Sequence, residues 1–201
     1  MDEDAIALEA YERLAEWFAA RVETKAHNAL YERPATLSLL PPVEGLRVLD
    51  AGCGPGFFAA WLADHGAQVT AFDVSPKMVA FARERLAGRG TVLQADFGKP
   101  LDFAGAGAFD LVLSALALDY VRDWESVFAE FFRLLCPGGL LVFSAGHPFD
   151  EFYDHHKAGN YFEVERVEYT WKGGGTPVVM PYYRRPLAAM LDPLLAAGFV
   201  L

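Results

Sequence analysis

Cysteine is nearly absent from the chain: Cys53 and Cys136 are the two present. Two cysteines cannot build a disulfide scaffold, and they show no paired zinc-ligand spacing. No apolar run reaches the roughly 18 residues that span a bilayer. The opening Met1-Asp2-Glu3-Asp4 is acidic and lacks the basic-then-apolar order of a signal peptide. These absences predict a cytoplasmic protein with no membrane insertion. Positive charge is short as well: 17 Lys and Arg stand against 27 Asp and Glu, a net charge of −10. Nucleic-acid affinity rests largely on cationic contacts to phosphates, so no nucleic-acid partner is expected. The same deficit disfavours an anionic membrane surface. The best candidate for a local basic patch, Arg184-Arg185, is two residues long. Internal repeats and low-complexity tracts are lacking too, and nothing in the sequence sets an oligomeric state.

Apolar residues, in contrast, are plentiful, at 53% of 201. At about 150 residues per domain the length fits one domain with a sizeable core. Ala7, Leu8, Tyr11, Leu14, Ala15 and Phe18 recur at helical steps and predict a helix over 5–30. Glu32-Arg33-Pro34 is expected to interrupt it, because the residue before Pro avoids the helical region. A short helix then runs to Leu40, ended by Pro41-Pro42.

From Leu46 a regular alternation begins. Strands are predicted over 46–50, 69–73, 91–95, 109–115 and 140–145, with helices over 57–65, 75–87 and 123–135. The stretch Phe109 to Ala115 is nearly all apolar, as a strand covered on both faces would be. Ser75-Pro76 is an N-cap followed by Pro at the first helical position. Pro137-Gly138-Gly139 is expected to close the third of these helices. This rhythm predicts an α/β fold: a doubly wound, mostly parallel sheet with helices on both faces. Ligands in such sheets bind beyond the carboxyl ends of the strands, at the switch point. After Pro148 the rhythm breaks into a Tyr-, Phe-, His- and Gly-rich stretch with a hairpin-like segment over 163–171 before Gly173-Gly174-Gly175. A helix over 186–197, capped by Gly198, and a stub, Phe199-Val200-Leu201, that reads as the start of another strand complete the pattern.

The strongest local signal is Val48-Leu49-Asp50-Ala51-Gly52-Cys53-Gly54-Pro55-Gly56, a strand running into a turn with three alternating glycines. Glycine admits positive φ and lets a ligand approach the backbone. A dinucleotide fingerprint would end its Gly-x-Gly-x-x pattern with another small residue, and here that place holds Phe57. Asp50 beside the loop would repel a pyrophosphate and favour a cation. S-adenosylmethionine carries a sulfonium and an ammonium and no phosphate. Asp73, about 20 residues past the glycines, stands where an acid grips ribose hydroxyls. Asp96 reads as an acceptor for an adenine amino group or as a turn residue, and Phe97 as a ring contact or as core.

At these residues the chain resembles the class I S-adenosylmethionine-dependent methyltransferases, in the small-molecule branch that includes ubiquinone and menaquinone biosynthesis. The resemblance rests on VLDAGCGPG (48–56), AFDVSPKMV (71–79), QADF (94–97), FDLVLSALALDYVRDW (109–124), LLCPGGLLVFS (134–144) and YYRRPLAAMLDPLLAAGF (182–199). It implies a Rossmann-like fold with a helical cap over 1–42, a cofactor-binding core over 43–147, a lid over 148–185, and a last helix with a truncated strand over 186–201. It implies S-adenosyl-L-methionine as cofactor. Asp50 and Gly52 would meet its methionine end, with Ala51, Gly54 and Gly56 as further cofactor contacts. Asp73 would meet the ribose, and Asp96 with Phe97 the adenine, while Val74 and Met78 are further cofactor contacts. Ser114, Ala115 and Leu116 would flank the methyl donor, with Tyr31 and Arg33 of the cap as further contacts. The family finishes its sheet with a further pair of strands, of which the stub is all that is present here.

The expected reaction is in-line methyl transfer to a small organic acceptor held under the lid. The lid's aromatic content points to an apolar or planar acceptor. A base is needed only for a protonated acceptor, and His147, then Tyr183, are its candidates. No metal site is expected: His155-His156 beside Asp150 and Asp154 has no standard ligand spacing. No Asn/Asp-Pro-Pro-Tyr/Phe stretch follows the fourth strand and no Pro-Cys occurs, which disfavours methylation of adenine, glutamine or cytosine C5. A non-catalytic module binding S-adenosylmethionine or S-adenosylhomocysteine, and an NAD-dependent oxidoreductase, are the alternatives.

Overall fold

The structure is a computed structural model that describes residues 5–154, 159–172, 175 and 177–201. Its centre is a five-stranded parallel sheet of β1 (Arg47–Ala51), β2 (Gln68–Asp73), β3 (Gly90–Gln94), β4 (Phe109–Ala115) and β5 (Leu135–Ser144). The strand order is β3-β2-β1-β4-β5. The chain winds outward from β1 through β2 to β3, then returns to place β4 on the other side of β1. The switch point therefore lies between the carboxyl ends of β1 and β4.

Alternation along the strands explains the layers. Val48, Val69, Ala71, Leu111 and Leu113 pack with α3 (Phe57–Asp64) and α4 (Pro76–Leu86). Their neighbours Leu49, Phe72 and Val112 point the opposite way, into a second core with α5 (Trp124–Leu134) and α7 (Leu187–Ala197). Strands buried on both faces read as continuous apolar runs, which is why β4 was legible. Each fully buried large side chain, such as Phe128 or Leu62, contributes about 1.5–3 kcal/mol by leaving water.

A third layer roofs the carboxyl edge. Helix α1 (Leu8–Ala19) packs Ala7, Ala10 and Leu14 against Val178 and Met180. Those two residues belong to β7 (Val178–Arg184), which pairs antiparallel with β6 (Glu165–Trp171). The N-terminal helix and the C-terminal hairpin thus form one apolar unit. Arg184 holds the hairpin to the segment before it. Its guanidinium donates to Glu165 at 2.7 Å and to the carbonyls of Asn160, Tyr161 and Glu163.

Several expectations need correction. The first helix ends at Ala19 instead of running to 30, and Glu32-Arg33-Pro34 does not break the chain. A π-helical segment, His27–Glu32, leads straight into α2 (Arg33–Ser38). Pro34 falls in the first turn of α2, where a missing N–H costs nothing. Pro137-Gly138-Gly139 lies inside β5, in a bulge where the β4 pairing jumps from Leu135 to Leu140. An edge strand tolerates Pro there. The segment 163–171 supplies one hairpin strand and 178–184 the other; Gly173 and Gly174 lie outside the described residues. Helix α6 (Pro148–Asp154) was not anticipated. Phe199-Val200-Leu201 forms no strand: the Phe199 ring packs edge-on against Phe132 of α5.

Candidate active site

Beyond β1 the chain turns through three left-handed glycines, with φ of +75° at Gly52, +53° at Gly54 and +82° at Gly56. The Gly52 and Cys53 N–H groups both donate to the Phe72 carbonyl at 2.9 Å, tying the loop to β2. A side chain at Gly52 would collide with Ala117, and one at Gly56 would lie 2.8 Å from the Ala82 Cα of α4. At Gly54 nothing stands within 4 Å. Gly52 and Gly56 are therefore required by the protein's own packing, whereas Gly54 faces open space.

Asp73 ends β2 and shapes the same loop. Its Oδ2 accepts from the Gly54 N–H at 2.8 Å and its Oδ1 from the Ser75 N–H at 2.9 Å. Burial nevertheless pushes its pKa up, partly offset by these N–H groups. Ser75 caps α4 by accepting from the Met78 N–H at 3.1 Å, and its hydroxyl bonds Glu12 of α1. Val74 and Met78 line the adjoining cavity. Asp96 accepts from the Gly98 N–H at 2.9 Å in a tight turn, and the Phe97 ring packs against Phe72 while facing the cavity.

Asp50 is placed differently from the sequence expectation. It is the fourth residue of β1 and its carboxylate is fully buried, behind the loop and outside the cavity lining. Strand alternation turns it toward α3, where the Ala59 N–H supports it and Oδ2 has no partner among the described residues. Burial, aided by the nearby Asp73 charge, raises its pKa to about 7. Direct contact with a ligand's ammonium is thus not what this geometry offers. Ala51 and Gly56 also lie outside the lining. Ser114 is buried, with its hydroxyl donating to the Ala51 carbonyl at 2.9 Å. Burial together with the Asp50 and Asp73 charges raises the Cys53 thiol well above its ordinary value, making it an inert filler.

Ala115 and Leu116 line the cavity at the end of β4. Leu116 has φ +50°, an unusual value for a bulky residue. Its N–H donates to the Ser144 carbonyl at 3.0 Å and reaches the Ser144 hydroxyl at 3.1 Å. That hydroxyl donates to the buried Glu32 carboxylate at 2.8 Å, which also accepts from Thr36. Glu32 therefore locks the cap to the end of the sheet, a role sequence reasoning missed. Arg33 is buried, its guanidinium 3.4 Å from the centre of the Phe57 ring, with Nε unpartnered among the described residues. Tyr31, by contrast, is exposed at the rim beside His27.

One cavity of about 1500 Å³ joins these parts to the roof. His147 lines it from an exposed position after β5, and Tyr183 from a buried one on β7. Sequence reasoning also missed a polar cluster in the roof. Asp119, just after β4, accepts from the Gly146 N–H at 2.9 Å. Burial and the charge of Glu151 raise its pKa to about 6, opposed by Arg185. Glu151 of α6 accepts from the Tyr182 hydroxyl at 2.5 Å, and the Tyr11 and Tyr120 hydroxyls meet at 2.7 Å. A carboxylate directly after an apolar strand at the switch point was the available signal for Asp119. Among the described residues no group of His, Cys, Asp and Glu is arranged to hold a metal ion; His155 and His156 lie outside them. No helix in the described residues is long and apolar enough to cross a membrane.

The methyltransferase domain family matches residues 49–143. The malonyl-[acyl-carrier protein] O-methyltransferase of Enterobacter lignolyticus is 42% identical over 120 residues, 59% of this chain and 47% of the relative. The ubiquinone biosynthesis O-methyltransferase of Thiobacillus denitrificans is 39% identical over 105 residues, 51% of this chain and 45% of the relative. The chain thus spans about half the length of the curated relatives it matches. A solved structure, an S-adenosylmethionine dependent methyltransferase from Mesorhizobium loti, is similar with a TM-score of 0.67 and 30% identity, over 89% of this chain and 83% of that one.

Proposed function

The chain belongs to the class I S-adenosylmethionine-dependent methyltransferases, and we propose that it transfers a methyl group from S-adenosyl-L-methionine to a small organic acceptor by in-line displacement. The observation that carries this reading is a continuous cavity of about 1500 Å³, larger than the roughly 300–1,000 Å³ of a one-ligand pocket. One end is the glycine loop, and the other is the aromatic and acidic roof. Two ligands can meet where β1 and β4 diverge.

The cofactor supplies an electrophilic methyl on a sulfonium; the chain's residues supply binding, alignment and exclusion of water. The open space over Gly54 admits a ligand chain against the backbone. Asp73, with each oxygen already taking one N–H, retains acceptor capacity for ribose hydroxyls. Asp96 and Phe97 would hold the adenine. Arg33 lines the cavity, its terminal nitrogens donating to the Val22 and Glu23 carbonyls, and would be the cation for the cofactor's carboxylate. The roof formed by α1 and the hairpin would cover the acceptor, and His147 and Tyr183 border that space.

The test is titration of S-adenosylhomocysteine into the wild type and Asp73→Ala. Loss of a charge-assisted hydrogen bond weakens binding about 10- to 100-fold. Unchanged affinity would remove the ribose assignment, and no binding to the wild type would remove the whole reading.

A further inference from the structure

We propose that Asp119 is the proton acceptor of the transfer and that, with Glu151, it selects a neutral hydroxyl acceptor of the phenol class over a carboxylate. The proposal rests on the methyltransferase reading above and names the substrate class of the same cavity.

Asp119 sits on the short 3-10 turn Leu118–Tyr120, three residues past the strained Leu116 at the end of β4. That position borders both the strand end and the roof. The Gly146 N–H fixes Oδ2 at 2.9 Å, and Oδ1 has no hydrogen bond among the described residues while Asp119 lines the cavity. One oxygen is thus anchored and the other is free for a ligand's O–H. The groups facing it are Glu151 on α6, Tyr182 on β7, Arg185 after β7, Tyr11 on α1 and the adjoining Tyr120. Arg185 stays behind the turn, donating to the Val121 carbonyl at 2.5 Å with its guanidinium over the Trp124 ring. It moderates the charge of Asp119 without lining the cavity.

Two consequences follow for the acceptor. A carboxylate placed here would face Asp119 and Glu151 as like charges, and it needs no base, being ionised already. A neutral hydroxyl needs one. Its O–H proton passes to Asp119 Oδ1 and its oxygen lone pair forms the bond to the methyl carbon. The carbon–sulfur pair returns to sulfur, leaving neutral S-adenosylhomocysteine and a protonated Asp119. The value of about 6 for Asp119 keeps it ionised at neutral pH and close to the pH of work, where general-base efficiency is greatest. Tyr11, Tyr120 and Trp171, which line the same cavity, pack edge to face and give that end of it an aromatic wall.

The experiment uses the full chain saturated with S-adenosylhomocysteine, titrated with catechol and with benzoate, beside turnover of catechol with S-adenosylmethionine. Catechol is expected to bind at least tenfold more tightly than benzoate, and Asp119→Asn to narrow that gap to threefold or less. The same variant should lower kcat about 100-fold or more and abolish a wild-type fall in kcat/KM of tenfold per pH unit below about pH 6. Asn keeps an acceptor for the Gly146 N–H, and unchanged S-adenosylhomocysteine affinity reports an intact fold. Benzoate binding or reacting as well as catechol overturns the proposal. So does binding of neither probe by protein that holds S-adenosylhomocysteine. Survival of the acidic limb in Asp119→Asn would move the base elsewhere, to His147. Failure of the wild type to bind S-adenosylhomocysteine overturns the underlying reading instead.

Discussion

The glycine loop separates two physical demands, and a pair of single-methyl substitutions should pull them apart. Gly54→Ala and Gly56→Ala each force a left-handed φ on alanine, at +53° and +82°, which costs about 1–2 kcal/mol. Only Gly56→Ala adds a collision, because its Cβ would lie 2.8 Å from Ala82 Cα and 2.9 Å from Ala82 Cβ. Backbone of a packed helix cannot step aside cheaply, and overpacking of this kind costs about 1–3 kcal/mol more. Gly56→Ala should therefore lose about 2–5 kcal/mol and Gly54→Ala about 1–2 kcal/mol. Binding should order them the other way. The methyl at 54 enters open space that the cofactor reading fills with ligand, so S-adenosylhomocysteine affinity should fall at least tenfold. Urea denaturation measures the first quantity and calorimetric titration the second. Gly54→Ala binding as tightly as wild type would refute the assignment of that space. Equal stabilities of the two variants would refute the packing argument.

Stability should also depend on pH through Asp50. Burial raises its folded pKa to about 7, so between the ordinary carboxylate range and that value the folded chain holds a proton the unfolded chain has released. Stability contributed this way falls as pH rises through the window. Asp50→Asn lacks that slope and should gain on the wild type by a few kcal/mol between about pH 4.5 and 7.5; parallel denaturation midpoints across that range would exclude the assignment. Arg184 gives a different handle. Its side chain is fully buried against Glu165 and three carbonyls, and Arg184→Met should cost about 3–5 kcal/mol. Protease cleavage within 159–172 should rise at the same time, and a urea midpoint equal to wild type would show that the hairpin does not depend on this anchor.

What was legible in the sequence is what depends on local chemistry. Leu111, Val112 and Leu113 announce a strand covered on both faces, and Ser75-Pro76 announces a helix start. The three glycines announce a turn that only they can make. Misreadings came where a local preference met a competing arrangement. Arg33 is helical before Pro34 because the π-helical segment delivers the chain to α2 with Pro34 in its opening turn. Phe199 has strand-like neighbours, yet its ring finds Phe132 and no strand lies beside it. Helix α1 and β7 are more than 150 residues apart in sequence, and no periodicity within either says that Leu14 covers Val178 and Met180.

The carboxylates show the same limit most sharply. Asp50 and Asp119 each follow an apolar strand run, and the two strands are neighbours at the switch point. Sequence pattern marked Asp50 as a ligand contact, because glycines follow it, and left Asp119 unmarked. Strand alternation decides otherwise: Asp50 lies inside the pleat and is turned under α3, whereas Asp119 comes after the strand has ended, on a turn that borders the cavity. A carboxylate within a strand is committed by the pleat to one covered face, while one on the turn beyond is committed only by its own hydrogen bond, here to Gly146. The catalytic burden in a doubly wound sheet therefore falls on residues past the strand end. By that argument Asp50 acts on the stability of the loop and Asp119 on the reaction, so Asp50→Asn should move denaturation curves and Asp119→Asn should move rates.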